Sequence, residues 1–170
     1  SKKMQDLSVI KSENLNENNK TINENIMSTL DKFIDIRVSN TLTNFSKKQT
    51  TELKQKLDDL KDYIMDDKYG EIASMILDGQ LKAVGNEYII FTYSTINLVN
   101  LFIENIPIIE SLLNQAFKSN YKVISVDIDR WDEIKEKFLP LHYIYMVNIM
   151  YLCALKIIFK EKKDVRSKKN

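Results

Sequence analysis

The segment Tyr121–Phe138 constrains the fold more than any other part of this sequence. It reads YKVISVDIDRWDEIKEKF, in which alternating apolar residues lead through an acidic cap into an amphipathic pattern with the only tryptophan. Alternation with a period of two predicts a strand, and apolar residues three and four apart predict a helix. The segment therefore predicts the closing strand and helix of a small α/β module.

The composition limits the class of protein. With 170 residues and 44% hydrophobic content, the chain can bury the core of one ordinary domain. Twenty-five Lys and Arg against 24 Asp and Glu give a formal charge of +1, so the sequence carries no strong signal for nucleic acid. The single cysteine excludes an intramolecular disulfide and favours a reducing, cytoplasmic location. Because the chain begins at Ser1, we expect it to be part of a longer protein.

Residues 1–20 are polar and Asn-rich. Their few Leu and Ile residues share no period, and such a composition is typical of a disordered leader or linker. We expect no regular structure there.

Residues 21–79 form the predicted helical segment. Their apolar residues recur three and four apart, which predicts three amphipathic helices. These helices would bury their stripes against one another or in a homo-oligomer. The predicted helix starts are a capping box at Thr21 and Glu24, a cap at Thr50 or Thr51, and a start near Asp67.

Residues 80–140 form the predicted small α/β domain. Two alternating runs flank Gly85-Asn86, which predicts a hairpin, because these residue types accept the positive φ of a two-residue turn. A helical run follows and should break at Pro107, and Asp129 should cap the last helix. The predicted fold class is α+β: N-terminal helices, then a small three-stranded sheet, antiparallel or mixed, with helices in the order β-β-α-β-α.

Three residues of the last predicted helix are expected to anchor it. Trp131, Ile134 and Phe138 are three and four residues apart and lie on one helix face. Trp131 could also be an exposed stacking platform, but a core anchor explains its position in an amphipathic helix more simply.

Residues 141–170 are predicted to be an apolar helical tail with a basic end. The run from Phe138 to Leu155 has no charged residue if His142 is neutral, a length at the lower limit for a membrane span. Its Asn and Tyr interruptions equally suit a buried or interface helix, which we favour. A stripe of Tyr151, Leu155, Ile158 and Phe159 predicts a helix that binds in a partner's groove.

Residues able to support catalysis are sparse. His142 has no acidic neighbour within four positions, and Cys153 lies in an apolar run where we expect it to be packed.

An acidic cluster comprises Asp127, Asp129, Asp132 and Glu133. It lacks the glycine and the final glutamate of a calcium loop, so helix capping explains it better. No phosphate-binding loop is present. We expect no enzyme activity, no cofactor, no metal site and no small-molecule ligand.

The sequence resembles the C-terminal region of the bacterial DNA polymerase III gamma/tau clamp-loader subunit over about residues 30–140. The hairpin, helix and strand are followed by a pattern similar to that family's W-x-x-I-[KR]-x-x-F ending. The segment IDIRVSNTLTNFSKKQTTELKQKL is similar to the family's entry to the preceding helix. The residues that match these two patterns are Trp131, Ile134, Lys135 and Phe138, and Arg37, Asn40, Leu42 and Lys48.

This resemblance implies a KH-like fold and a non-catalytic role in the replisome. The module would tether the clamp loader to the replicative DNA polymerase alpha-type subunit and to the replicative helicase. One alternative is a KH-like module for single-stranded nucleic acid, although the GXXG loop of such modules is absent. A second alternative is a structural or membrane-associated helical adaptor, which the apolar tail supports. The cations near the predicted sheet are Lys82, Lys118, Lys122 and Arg130.

Overall fold

The chain folds into helices around one small sheet. The structure is a computed structural model that describes the backbone of residues 2–169 and the side chains of residues 16–138, 144 and 146–169. It divides into two compact units, Ser1–Val126 and Asp127–Asn170, here called unit 1 and unit 2. The elements are α1 (Lys2–Thr43), α2 (Lys47–Lys56), a 3-10 helix (Leu57–Tyr63), α3 (Gly70–Asp78), β1 (Gln80–Gly85), β2 (Tyr88–Tyr93), α4 (Ile96–Glu104), α5 (Ile106–Phe117), β3 (Lys122–Asp127) and α6 (Ile128–Lys168).

The α+β class predicted from the sequence is confirmed. N-terminal helices precede a three-stranded mixed sheet, in which the strands lie in the order β1-β2-β3. The order of elements after the helical segment is β-β-α-α-β-α, because the predicted helix before β3 is two helices.

Helix α1 includes residues 2–20, for which the sequence predicts no regular structure. No Gly or Pro occurs in residues 2–43, so no strong helix breaker interrupts α1. The Thr21 hydroxyl donates to the Glu17 carbonyl within the helix, so the capping box expected at Thr21 does not form. Towards the end of α1, Ile34 and Val38 are buried in unit 1.

The N-cap of helix α2 lies four residues before Thr50, the first of the two predicted caps. Ser46 is the N-cap, and its hydroxyl accepts a hydrogen bond from the Gln49 amide at 3.2 Å. Thr50 is buried inside the helix, where its hydroxyl accepts from the Val84 amide of β1 at 3.0 Å. The expected cap at Thr50 or Thr51 is wrong because the Thr50 hydroxyl makes a tertiary hydrogen bond.

The second and third predicted helices also differ in their bounds. The second is divided between α2 and the 3-10 helix, whose Leu60 is fully buried. Helix α3 begins at Gly70 rather than near Asp67. Before it, the Asp66 carboxylate accepts from the amides of Lys68 and Tyr69, both at 2.8 Å. This local turn keeps residues 66–69 out of the helix.

The predicted hairpin forms, with its turn one residue later than expected. Gly85 pairs with Tyr88 as the last pair of the β1–β2 ladder, so the turn is Asn86-Glu87. Asn86 has a φ of 54°, and no glycine in the described chain has a positive φ. Gly85 is needed for a different reason: a Cβ there would overlap the Thr41 carbonyl and lie 2.7 Å from the Asn44 carbonyl carbon. The close approach of α1 to β1 therefore requires glycine.

The predicted break at Pro107 is confirmed. Helix α4 ends at Glu104, and α5 begins at Ile106 with proline in its first turn. Phe102 of α4 is fully buried, with its ring centroid 5.5 Å from that of Phe91 and 5.7 Å from that of Tyr93. These aromatic contacts join α4 to β2 in the core of unit 1.

Helix α6 begins earlier than the predicted last helix and also includes the predicted tail. The Asp127 carboxylate accepts from the Arg130 amide at 2.9 Å, so Asp127, and not the predicted Asp129, is the N-cap. The helix then continues without a break to Lys168. The anchor helix and the apolar tail of the sequence analysis are therefore one helix.

Candidate partner-binding surface

The predicted anchor residues lie in the first turns of α6. Trp131 is buried, with 8% of its surface exposed, and Ile134 and Phe138 are half-buried. The face that carries them is therefore the covered face of the helix. A buried indole of this kind contributes to stability and is not available as a stacking platform.

The predicted partner-binding stripe lies further along the same helix and is mostly exposed. Tyr151 and Phe159 are 64% and 69% exposed, Ile158 is also exposed, and Leu155 is half-buried. Successive members are three or four residues apart, or adjacent, so one side of the helix carries all four. The described part of unit 2 leaves these apolar side chains in water.

The exposed apolar surface of α6 is wider than the predicted stripe. At 100° per residue, Met150 and Ile157 lie about 100–160° around the helix from Tyr151 and Leu155, yet both are exposed. The spacing of a single stripe does not predict this wider surface. An exposed helix that is apolar on several faces is typical of one that has more than one neighbour. The exposed large apolar residues of this region are Ile144, Met146, Val147, Ile149, Met150, Tyr151, Leu152, Ile157, Ile158, Phe159 and Val165.

Cys153 is exposed on the same helix, which corrects the expectation that it would be packed. The prediction assumed that an apolar run is buried, but here residues 144 and 146–154 are exposed. The side chain of His142 lies outside the described residues.

No single helix among the described residues has the length and hydropathy of a membrane span. The helices Ile96–Glu104 and Ile106–Phe117, bent by 70° at their junction, pass that test as a pair. Phe102, Ile109 and Leu112 of this pair are fully buried in unit 1.

The end of α6 is strongly basic. Residues 156–169 contain seven Lys and Arg against two Asp and Glu, all of them exposed. Lys156, Lys160 and Lys163 lie on one side of the helix, next to Phe159, and none has an ion-pair partner among the described residues. The basic end therefore combines an exposed aromatic ring with unneutralised positive charge.

Unit 1 carries a second surface, which the sequence analysis did not identify. A groove of about 420 Å³ lies between α3 and α4 and is here called the α3–α4 groove. Met75 of α3 and Leu98 and Leu101 of α4 supply apolar walls, and Glu71 and Asp78 lie on the α3 side. The lining residues are scattered over a loop, two helices and a strand, so no single sequence pattern could have revealed it.

Tyr93 fixes one side of this groove. Its hydroxyl donates to the Met75 carbonyl at 2.6 Å, and its side chain is buried. Burial, with a smaller contribution from the negative charge of Asp78, raises the pKa of the Tyr93 phenol above its ordinary value. The neutral phenol therefore holds α3 against β2 over the ordinary pH range.

The upstream residues of the resemblance have structural contacts. Arg37 of α1 donates to the Glu110 carboxylate of α5 at 2.6 Å and lies 4.9 Å above the Phe33 ring. Glu110 also accepts from the Val123 amide at 3.2 Å, which ties the start of β3 to α5. Of the other upstream matches, Leu42 and Asn40 are half-buried and Lys48 is exposed.

Of the acidic cluster, only Asp127 caps a helix. Asp127 caps α6 and Asp132 pairs with Lys135 at 3.0 Å, while Asp129 and Glu133 are exposed. Within the described residues, no group of three or more His, Cys, Asp or Glu could hold a metal ion.

The four cations near the sheet have different surroundings. Lys122 lies 3.6 Å from the Glu110 carboxylate, and Lys82 donates to the Gln80 side chain at 2.7 Å. Lys118 is exposed at the end of α5, where it has a φ of 56°, and Arg130 is half-buried at the start of α6.

In comparisons with protein-family models, with curated proteins and with solved structures, no match to this chain was found.

Proposed function

We propose that this chain is a non-catalytic tethering module of the bacterial replisome, acting in the cytoplasm. It would link the clamp loader to the replicative DNA polymerase alpha-type subunit, to the replicative helicase, or to both. The proposal rests on the resemblance of residues 30–140 to the clamp-loader gamma/tau C-terminal region and on the exposed apolar surface of α6.

The exposed stripe of α6 is the observation that carries this proposal. Burying an aromatic or large aliphatic side chain yields about 1.5–3 kcal/mol, so a partner groove that covered Tyr151, Leu155 and Phe159 would supply a substantial binding energy. The lysines beside the stripe would favour a partner with an acidic rim. A helix presented in this way suits docking into a hydrophobic groove.

The direct test is binding of the full chain to the purified polymerase subunit and to the helicase, measured by calorimetry or biolayer interferometry. The double substitution Leu155→Asp and Phe159→Asp should weaken binding about 30-fold or more, the loss of 2 kcal/mol that defines a hot spot. Ile157→Asp, which adds one such charge on another face of the same turn, is the control.

Deletion of residues 141–170 extends the test to the whole tail. The truncated chain should keep a cooperative thermal transition and lose binding to the polymerase. Full-affinity binding by a folded truncated chain would place the tethering surface elsewhere. Equal losses in the double variant and in the Ile157 control would remove the case for a defined stripe.

The exposure of apolar residues on several faces of α6 also favours a second candidate, a membrane-associated adaptor. A helix with apolar faces and a basic end binds anionic bilayers through both features. Sedimentation with vesicles that contain phosphatidylglycerol distinguishes the two functions. Strong vesicle binding together with no binding to polymerase or helicase would favour the adaptor.

A further inference from the structure

The α3–α4 groove carries two carboxylates in a defined spacing. Glu71 and Asp78 are seven residues apart on one face of α3, about 10.5 Å along the helix axis at 1.5 Å per residue. Both are exposed, and neither has an ion-pair partner among the described residues. Between them lies Met75, facing the apolar wall formed by Leu98 and Leu101. The groove therefore favours an occupant with one large apolar side chain between two cations.

The basic end of α6 has this chemistry at the same spacing. Lys156 and Lys163 are also seven residues apart, again about 10.5 Å along a helix. Phe159 lies between them on a neighbouring face and is 69% exposed. Lys160, one turn after Lys156, adds a third cation on the same side.

We propose that the α3–α4 groove binds the basic end of α6 from a second copy of this chain. Phe159 enters the groove between Met75 and the leucines of α4, and Lys156 and Lys163 pair with Glu71 and Asp78. The apolar contact supplies the attraction, and the paired charges fix the register of the two helices.

Each copy carries one groove and one basic end, so a reciprocal exchange of the two would give a closed dimer. The inference requires no replisome protein, although it assigns Phe159 and the lysines beside it to a contact between copies, and the proposed function uses the same residues.

The test is to measure self-association of the full chain by sedimentation equilibrium, from about 1 to 200 μM protein at low and high salt. The wild type should form dimers that weaken as salt increases, because the paired charges are screened. Glu71→Lys with Asp78→Lys should weaken dimerisation at least about tenfold, and Lys156→Glu with Lys163→Glu should do the same. Asp59→Lys with Glu87→Lys, which makes the same charge change at exposed sites outside the groove lining, should leave dimerisation unchanged.

The decisive measurement is a mixture of the two reversed variants. Each variant alone should be weakened, but together they present lysines in the groove to glutamates at positions 156 and 163, and hetero-association should recover. Circular dichroism melts establish that each variant is folded before it is measured. The proposal is overturned if the wild type is monomeric throughout, if groove reversal leaves dimerisation intact, or if the mixture does not recover.

Discussion

Removing the Glu110 carboxylate should destabilise unit 1 by more than its position near the surface suggests. One carboxylate oxygen accepts from Arg37 at 2.6 Å and from the Val123 amide at 3.2 Å, and the other lies 3.6 Å from Lys122. The side chains of Arg37 and Glu110 are only 17% and 18% exposed, so water cannot fully replace the lost contacts.

The magnitude follows from the separate contacts. A hydrogen bond to a charged group contributes about 1.5–3 kcal/mol, and leaving a partly buried guanidinium without its partner adds a desolvation cost. The contact with Lys122, which is 46% exposed, contributes at most about 1 kcal/mol after solvent screening. We therefore expect Glu110→Ala to lower the free energy of unfolding by about 2–4 kcal/mol, and Lys122→Ala by less than about 1 kcal/mol.

Urea denaturation followed by circular dichroism measures both variants. A double-mutant cycle with Glu110→Ala and Arg37→Met isolates the pair, and its coupling energy should exceed about 1 kcal/mol. Hydrogen exchange at the Val123 amide should accelerate in Glu110→Ala more than in Lys122→Ala. A loss below 1 kcal/mol in Glu110→Ala, or a coupling energy near zero, would refute the reasoning.

Three further changes test other parts of the structure. Trp131→Ala should lower the free energy of unfolding by about 3–5 kcal/mol, the range for a buried large aromatic, and wild-type stability in denaturation curves would contradict its role as an anchor. Gly85→Ala should cost at least about 1–3 kcal/mol because backbone atoms of α1 occupy the Cβ position, so an unchanged melting temperature would be inconsistent with that packing. Because the folded-state pKa of Tyr93 is raised above its unfolded value of about 10, its stabilising contribution is present below pH 10 and is lost as the pH rises further. Urea curves at pH 8 and 11 should show this loss, and Tyr93→Phe should reduce it.

The hydrophobic periods of the sequence predicted the sheet and the core helices. The alternation around the hairpin, the break at Pro107 and the change from strand to helix after residue 127 all follow from local residue preferences. These preferences act over a few residues, which is why they can be read without knowledge of tertiary contacts.

Helix starts were predicted less well, because tertiary contacts decide between neighbouring capping residues. Thr50 is a suitable cap by residue type, yet its hydroxyl binds the Val84 amide 34 residues away. Asp127 caps α6 in place of Asp129, at the residue where β3 ends. Nothing in the local sequence distinguishes such neighbours.

The two candidate surfaces differ in how far the sequence could predict them. The stripe on α6 lies within one helix, so its spacing is visible in the sequence, although the full extent of the exposed apolar surface is not. The α3–α4 groove combines residues as distant as Ile64 and Leu101. Its acidic side and apolar wall become neighbours only after β1 and β2 have placed α3 beside α4.

The residues that carry the clamp-loader resemblance and those accessible to a partner are largely different sets. Arg37 pairs with Glu110 and Trp131 is buried, so substitutions there should change stability first and binding only through unfolding. Tyr151 and Phe159 are exposed, so substitutions there should change binding and leave stability nearly unchanged. The resemblance therefore supports the fold more directly than the tethering function. The proposed function depends on α6, so under that proposal a related chain with the same buried residues but a polar end to that helix should fold in the same way without binding the polymerase.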